Sequence, residues 1–151
     1  MAAIDYADIR DQLASAIAGD ARTSAARVYV EEEPQFGIAD AQTVVAIFTN
    51  ARTAPDGEQP IAAGKRTRQW IDMLLVVALF NMESYRKACD MRDDYLGALE
   101  LVLMDNRTIG GTVATAWITG GEFYSARDPS GSGAFMAVAE VNLRCEATSI
   151  V

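Results

Sequence analysis

The chain contains no histidine among its 151 residues. Histidine is the commonest general base and metal ligand, and most nucleophilic triads include one, so the usual catalytic chemistry is missing. No GxxxxGK[ST] phosphate loop occurs. The glycine pairs at 110–111 and 120–121 do not open a helix after a strand, and we interpret them as turn or strand-end glycines. The sequence therefore predicts a protein that is not an enzyme and holds no cofactor.

Cysteines and long apolar runs are also scarce. Cys89 and Cys145 are the two cysteines, and neither has a partner at metal-ligand spacing, which argues against a zinc site. We interpret them as buried thiols in a reducing compartment, with a disulfide as the alternative. The longest apolar run, Met73 to Phe80, is far shorter than the ~20 residues that a helix needs to cross a bilayer. Neither a membrane span nor a signal peptide is expected.

The charge balance is acidic, with 21 acidic and 13 basic residues and a formal net charge of −8. Such a balance argues against a dedicated nucleic-acid binder and against docking on an anionic membrane. Half of the residues are hydrophobic and 23% are charged, which is ordinary for a globular domain. The length is close to the commonest domain size, so residues 1–151 are predicted to form a single domain.

Apolar periodicity predicts an α+β fold with a mainly antiparallel sheet of about five strands and two helices packed on one face, in the order α-β-β-β-α-β-β. The third strand is apolar on both faces and is expected to lie centrally in the sheet. The predicted elements are a helix from Asp5 to Gly19, strands Arg27–Glu31, Thr43–Thr49 and Arg68–Phe80, a helix Ser84–Asp105, strands Thr112–Ile118 and Ala134–Glu146, and hairpin loops Arg52–Lys65 and Ser125–Gly133.

Two acidic clusters are candidate sites. Glu31 to Glu33 follow a strand, where alternation sends neighbouring side chains to opposite faces, so they are expected to be a solvated strand end. Asp90, Asp93 and Asp94 lie at helical spacing, so Asp90 shares a face with each of the other two. A divalent ion is one interpretation of this second cluster, and a solvated or partner-facing surface is the favoured one.

One basic cluster flanks the long predicted loop. It consists of Arg52, Lys65, Arg66 and Arg68. Ordinary charge on hairpin stems explains it, and a contact with an acidic neighbour, either protein or DNA backbone, is the sharper hypothesis. In a symmetric ring that neighbour would be the acidic helix face of another copy, a head-to-tail contact that closes. Such an assembly is expected to be sensitive to salt.

Several aromatic residues are candidate interface anchors, although core packing is the default expectation for both tryptophans. The set comprises Tyr29, Trp70, Trp117, Phe123 and Tyr124.

The stretch from Tyr85 to Glu146 carries a pattern of its own. A long helix ends in Leu101-Val102-Leu103, a polar turn from Asp105 to Gly111 contains two glycines, and two strands surround a loop. This pattern resembles the C-terminal half of the tail terminators (tail-completion proteins) of long-tailed phages. The preceding helix, the short strand that ends in acidic residues and the strand–loop–strand unit also follow the order of that family, from which the long Arg52–Lys65 loop departs.

The resemblance implies a virion protein that is assembled in the host cytoplasm and located at the head-proximal end of the tail. It implies a hexameric ring that caps the tail tube, ends its polymerisation and joins it to the head–tail connector or stopper protein. DNA would then pass through an acidic channel only as cargo. A head-closure or connector-adaptor protein, a small ligand-binding α+β domain and a host chaperone or regulator remain as alternatives.

Overall fold

The computed structural model describes residues 3–32, 41–54, 66–127 and 135–150, and it has the predicted α+β architecture. Within these ranges the chain forms two helices and six strands. The elements in chain order are α1 (Tyr6–Gly19), β1 (Arg27–Val30), β2 (Ala41–Thr53), β3 (Arg66–Asn81), α2 (Tyr85–Asp105), β4 (Thr115–Gly120), β5 (Phe123–Arg127) and β6 (Phe135–Ile150).

Both helices begin at the predicted N-caps. The Asp5 side chain accepts a hydrogen bond from the backbone N–H of Asp8 at 3.0 Å, and the Ser84 hydroxyl accepts one from the N–H of Lys87 at 3.1 Å. Each bond satisfies one of the amide groups that a first helical turn leaves without a partner. Tyr85, the first residue of α2, is 40% exposed and lies outside the buried stripe that faces the sheet.

The strand order is β1-β2-β3-β6-β4, and β5 also pairs with β6. The prediction that β3 is central is confirmed, since it lies between β2 and β6. The sheet is mainly antiparallel, as predicted. However, β1 pairs with β2 in parallel, which is the one parallel pairing among the described strands.

Both helices pack on one face of the sheet, as predicted, and together they bury the main core. The core includes α1 residues at helical spacing, the odd-numbered side chains of β3 and β6, and the inner stripe of α2. Its largest fully buried members are Ile9, Leu13, Ile17, Ile47, Ile71, Met73, Leu75, Leu79, Leu99, Ile109 and Leu143.

The sixth strand corrects the predicted count of five. The chain continues as β5 after Gly120 and Gly121, so Ser125 belongs to a strand and not to the predicted hairpin loop. The register against β6 shifts by one residue between Ile118 and Gly120. A Cβ atom at Gly121 would lie 1.8 Å from the backbone oxygen of Glu140, so only glycine permits this close approach.

The region before β4 also differs from the prediction, because residues 112–114 form a turn and β4 begins only at Thr115. Ile109, Gly110 and Gly111 all have positive φ angles, of 46°, 64° and 82°. The N–H of Val113 donates to the oxygen of Thr108, which keeps the chain in the turn. Periodicity alone did not reveal this, since Val113 is buried as a strand residue would be.

The opposite face of the sheet holds a smaller buried cluster around Phe80. Its members are Val44, Ala78, Phe80, Met136 and Val138, which are at most 7% exposed. No helix among the described residues is long and apolar enough to span a membrane.

Candidate functional site

The three aspartates of the predicted acidic cluster lie in the first half of α2, and all are exposed. Asp93 accepts a hydrogen bond from Nε of Arg92 at 3.0 Å and is thereby partly neutralised. Asp90 and Asp94 form no ion pair with any described residue. Within the described ranges, no three metal-ligating side chains converge as a metal ion requires. The three aspartates form a charged, exposed face of α2.

The predicted basic cluster lies at the other end of the sheet from the start of α2. Arg52 is near the end of β2, opposite Ile71, and is exposed. Arg68 lies near the start of β3 and pairs with Glu146 at 3.6 Å. Arg66 is the first residue of β3, but its side chain is outside the described part of the structure, as is the whole of Lys65. Two of the four basic side chains are thus placed.

Arg52 lines an open groove of about 360 Å³ between α1 and the end of β2. Arg10 also lines it, and its Nη1 donates to Oγ1 of Thr49 at 3.1 Å and lies 3.6 Å from the Glu31 carboxylate. Nε of Arg10 is buried and has no hydrogen-bond partner in the described part of the chain. Sequence reasoning missed Arg10, which only the packing of α1 against β2 brings beside Arg52. Among the described residues, the groove is lined by the guanidinium-bearing Arg10 and Arg52, and the Glu31 carboxylate lies beside Arg10, so the groove suits an acidic partner.

A second cluster that sequence reasoning missed lies on the face away from the helices. Arg144 on β6 donates two hydrogen bonds to Asp72 on β3, at 2.7 and 3.0 Å, and these raise the pKa of the arginine. The guanidinium carbon lies 4.5 Å from the ring centre of Trp70, which meets Trp117 edge-on at 6.4 Å. Alternation within each strand predicts which face of β6 carries Arg144 and which face of β3 carries Asp72. It does not predict that the two residues are neighbours, because that depends on the register between β3 and β6.

The tryptophans are therefore not core residues, contrary to the default expectation. Trp117 is 37% exposed and Trp70 is half-buried. Arginine and tryptophan are the residue types that most often carry binding energy at protein interfaces. This cluster of Trp70, Asp72, Trp117 and Arg144, here named the Trp–Arg cluster, has the composition of a contact surface.

On the helix side, Arg92 reaches from α2 to β5. Its guanidinium carbon lies 4.7 Å from the ring centre of Phe123, which is 60% exposed, while the Arg92 residue itself is buried. Tyr124, the next residue, points to the other face and donates to Oε1 of Glu140 at 2.9 Å. Phe123 and Tyr124 are thus both accessible, as the hypothesis of interface anchors requires.

The two cysteines are free in the structure. Cys145 is buried in the main core, and burial raises the pKa of its thiol to about 12, so it is protonated at neutral pH. Cys89 is only half-buried, which corrects the prediction that both thiols are in the interior.

Comparison of the chain with protein-family models gives no match, and comparison with curated proteins gives none either.

Proposed function

We propose that the chain is a structural subunit of a phage tail terminator. In this proposal, copies of the chain assemble as a ring at the head-proximal end of the tail tube. The ring ends tube polymerisation and joins the tail to the connector. The net charge of −8 is compatible with a channel through which DNA passes without binding.

The observation that carries the proposal is the unit formed by α2, its turn and β4. α2 ends just after Leu101-Val102-Leu103, and the chain then turns through Gly110 and Gly111 in left-handed conformations before it enters β4. This is the pattern on which the resemblance to tail terminators was based. The rest of the chain supplies a preceding helix and three strands in the same order, with both helices on one face of the sheet.

The charged surfaces suit a head-to-tail contact between copies. The groove lined by Arg10 and Arg52 lies between α1 and β2 on one side of the molecule. The exposed Asp90, Asp93 and Asp94 lie on α2, which packs over β3, β6 and β4. Arg52, Asp90 and Asp94 form no ion pair with any residue that the structure describes. In the proposed ring, the groove of one subunit receives the aspartates of the next, and a salt-sensitive assembly follows.

The test uses purified protein alone and together with tubes polymerised from the tail-tube protein of the same genome. Native mass spectrometry and negative-stain images are expected to show a ring that caps tube ends and halts their growth. A chain that stays monomeric and leaves tube growth unchanged would contradict the proposal. A monomer in isolation that still caps tubes would support it, since the tube end can trigger assembly.

Dissected virions separate this function from that of a head-closure or connector adaptor. Tail-only particles are expected to contain the chain and head-only particles to lack it. The reverse distribution would replace the terminator with the adaptor.

A further inference from the structure

In the described part of the chain, β1 forms one edge of the sheet, and β4 followed by β5 forms the other. A terminal strand leaves every second residue with backbone N–H and C=O groups that no neighbouring strand binds, and natural proteins commonly protect such edges with charges or proline. β4 has the sequence Thr-Ala-Trp-Ile-Thr-Gly, which contains neither. Its edge is therefore suited to pair with another strand.

The hydrogen bonds to β6 identify the β4 residues that face the open edge. Glu140 donates its N–H to Glu122, and the carbonyl of Glu146 accepts from Ala114, so even-numbered β6 residues direct their backbone groups toward β4 and β5. The even-numbered Arg144 is opposite Trp117, which therefore bonds to β6. Ala116 and Ile118 point their backbone groups to the open edge.

The same reasoning applies to β1. The N–H of Glu31 donates to the carbonyl of Ile47 on β2, so the odd-numbered residues of this segment face β2. Val28 and Val30 consequently direct their backbone groups away from the sheet. The two terminal strands thus present matching pairs of residues, two positions apart.

The side chains of these four residues all lie on the helix-covered face. Ala116 is part of the main core, and Val28, Val30 and Ile118 are partly buried against it. Beside β4 there is a groove of about 300 Å³ between the strand and the end of α2. It is lined by Leu103, by Arg107 and by Met104, which is 55% exposed. A strand added at β4 would direct its inner side chains toward this groove.

We infer that β1 of a second copy of this chain pairs with β4, so that the sheets of neighbouring subunits are joined edge to edge. This inference rests on the proposed ring and gives it a backbone-mediated subunit contact in place of the contact between the arginine-lined groove and the α2 aspartates. Val28 and Val30 of one subunit would then lie beside Ala116 and Ile118 of the next, and the main core would continue across the contact. Because different surfaces of the two copies meet, the contact can repeat from each subunit to the next, and it forms a ring when the rotation between subunits closes.

A matched pair of variants at Ile118 tests the backbone pairing. Ile118→Pro removes an N–H that is not used within the subunit, and edge strands tolerate proline at such positions. Ile118→Ala removes a comparable part of the side chain but keeps the N–H. We expect Ile118→Pro to weaken association about tenfold relative to Ile118→Ala, as expected for the loss of about one hydrogen bond per contact. The measurement is the concentration at which rings form on tube ends.

Cysteine cross-linking provides a second test that does not depend on the proline variant folding. Each double variant combines Val28→Cys or Val30→Cys with Ala116→Cys or Ile118→Cys, and a short bis-maleimide is added to assembled rings. At least one of the four combinations is expected to give a ladder of covalent oligomers. All variants retain Cys89 and Cys145, so the single variants measure the background cross-linking through these two native cysteines.

The outcomes separate this inference from the proposed function. Rings that form normally in Ile118→Pro, with no ladder from any combination, would overturn the edge-to-edge contact and leave the ring in place. Wild-type protein that never forms rings, alone or on tubes, would overturn the proposed function itself. A ladder that appears only in assembled samples would support both.

Discussion

The two faces of the sheet differ in what covers them and in how they are composed. On the helix-covered face, apolar side chains at alternate positions from Ile71 to Leu79 on β3 and from Val141 to Ala147 on β6 are buried beneath the helices. The opposite face is divided between the buried cluster around Phe80 and the hydrogen-bonded Trp–Arg cluster, in which Trp117 is partly exposed. We conclude that the helix-covered face supplies most of the stability, whereas the Trp–Arg cluster is available for contacts.

The largest expected effect lies in the helix-covered core. Leu99→Ala on α2 truncates a side chain that is 0% exposed and is expected to lower the free energy of unfolding by about 2–5 kcal/mol, because it loses apolar burial and leaves a cavity. Urea unfolding measures it. The matched control, Leu101→Ala on the same helix, removes a side chain that is 51% exposed and should change stability by less than about 0.5 kcal/mol. Equal effects would remove the distinction between core and surface.

A pH effect is expected from the same core. Because burial raises the pKa of Cys145 from 9.0 to about 12, the thiol in the unfolded chain releases its proton first as the pH rises. Below about pH 9 the Cys145 thiol is protonated in both the folded and the unfolded chain, and its full contribution to the free energy of unfolding is present. Between about pH 9 and 12 the free energy of unfolding falls by up to about 1.4 kcal/mol per pH unit. Urea unfolding at about pH 8 and about pH 10 measures this fall. Cys145→Ala should remove most of this fall and leave the smaller part that comes from Tyr95 and Tyr124, whose pKa values burial also raises, whereas the equally buried control Leu143→Ala should retain the whole fall.

The smallest effect is expected on the opposite face. Asp72→Asn keeps the shape of the side chain but removes the charge that pairs with Arg144, so we expect a loss of stability smaller than either effect above, measured by thermal or urea unfolding. The control Glu146→Gln, whose partner Arg68 is 3.6 Å away and more exposed, should have less effect. If Asp72→Asn cost as much as Leu99→Ala, the Trp–Arg cluster would have to be counted as part of the stabilising core.

The helices, their caps and the central position of β3 were predictable because each depends on residues close together in sequence, as the Asp5 and Ser84 caps show. The parallel pairing of β1 was not, because periodicity marks a strand without giving its direction. The sixth strand was missed because Gly120 and Gly121 indicate a turn in sequence but form a register shift in the structure.

The candidate site was predictable only in part, for the same reason. The exposed aspartates of α2 follow from helical spacing. The Trp–Arg cluster depends on the alignment of β3 with β6, and the groove beside Arg52 depends on how α1 packs against β2. These contacts join residues that are far apart in sequence, and no local pattern specifies them.

The register shift between Ile118 and Gly120 changes which side chains face the helices. Odd-numbered residues lie on one face of the sheet before the shift and on the opposite face after it. Before the shift, the odd-numbered Trp117 lies on the face away from the helices, and after it the odd-numbered Phe123 lies on the helix side beneath Arg92. Loss of one residue from this short stretch would exchange the positions of Phe123 and Tyr124 without altering either side chain. Evolution can therefore lengthen or shorten this stretch only in steps of two residues if each aromatic side chain is to keep its face.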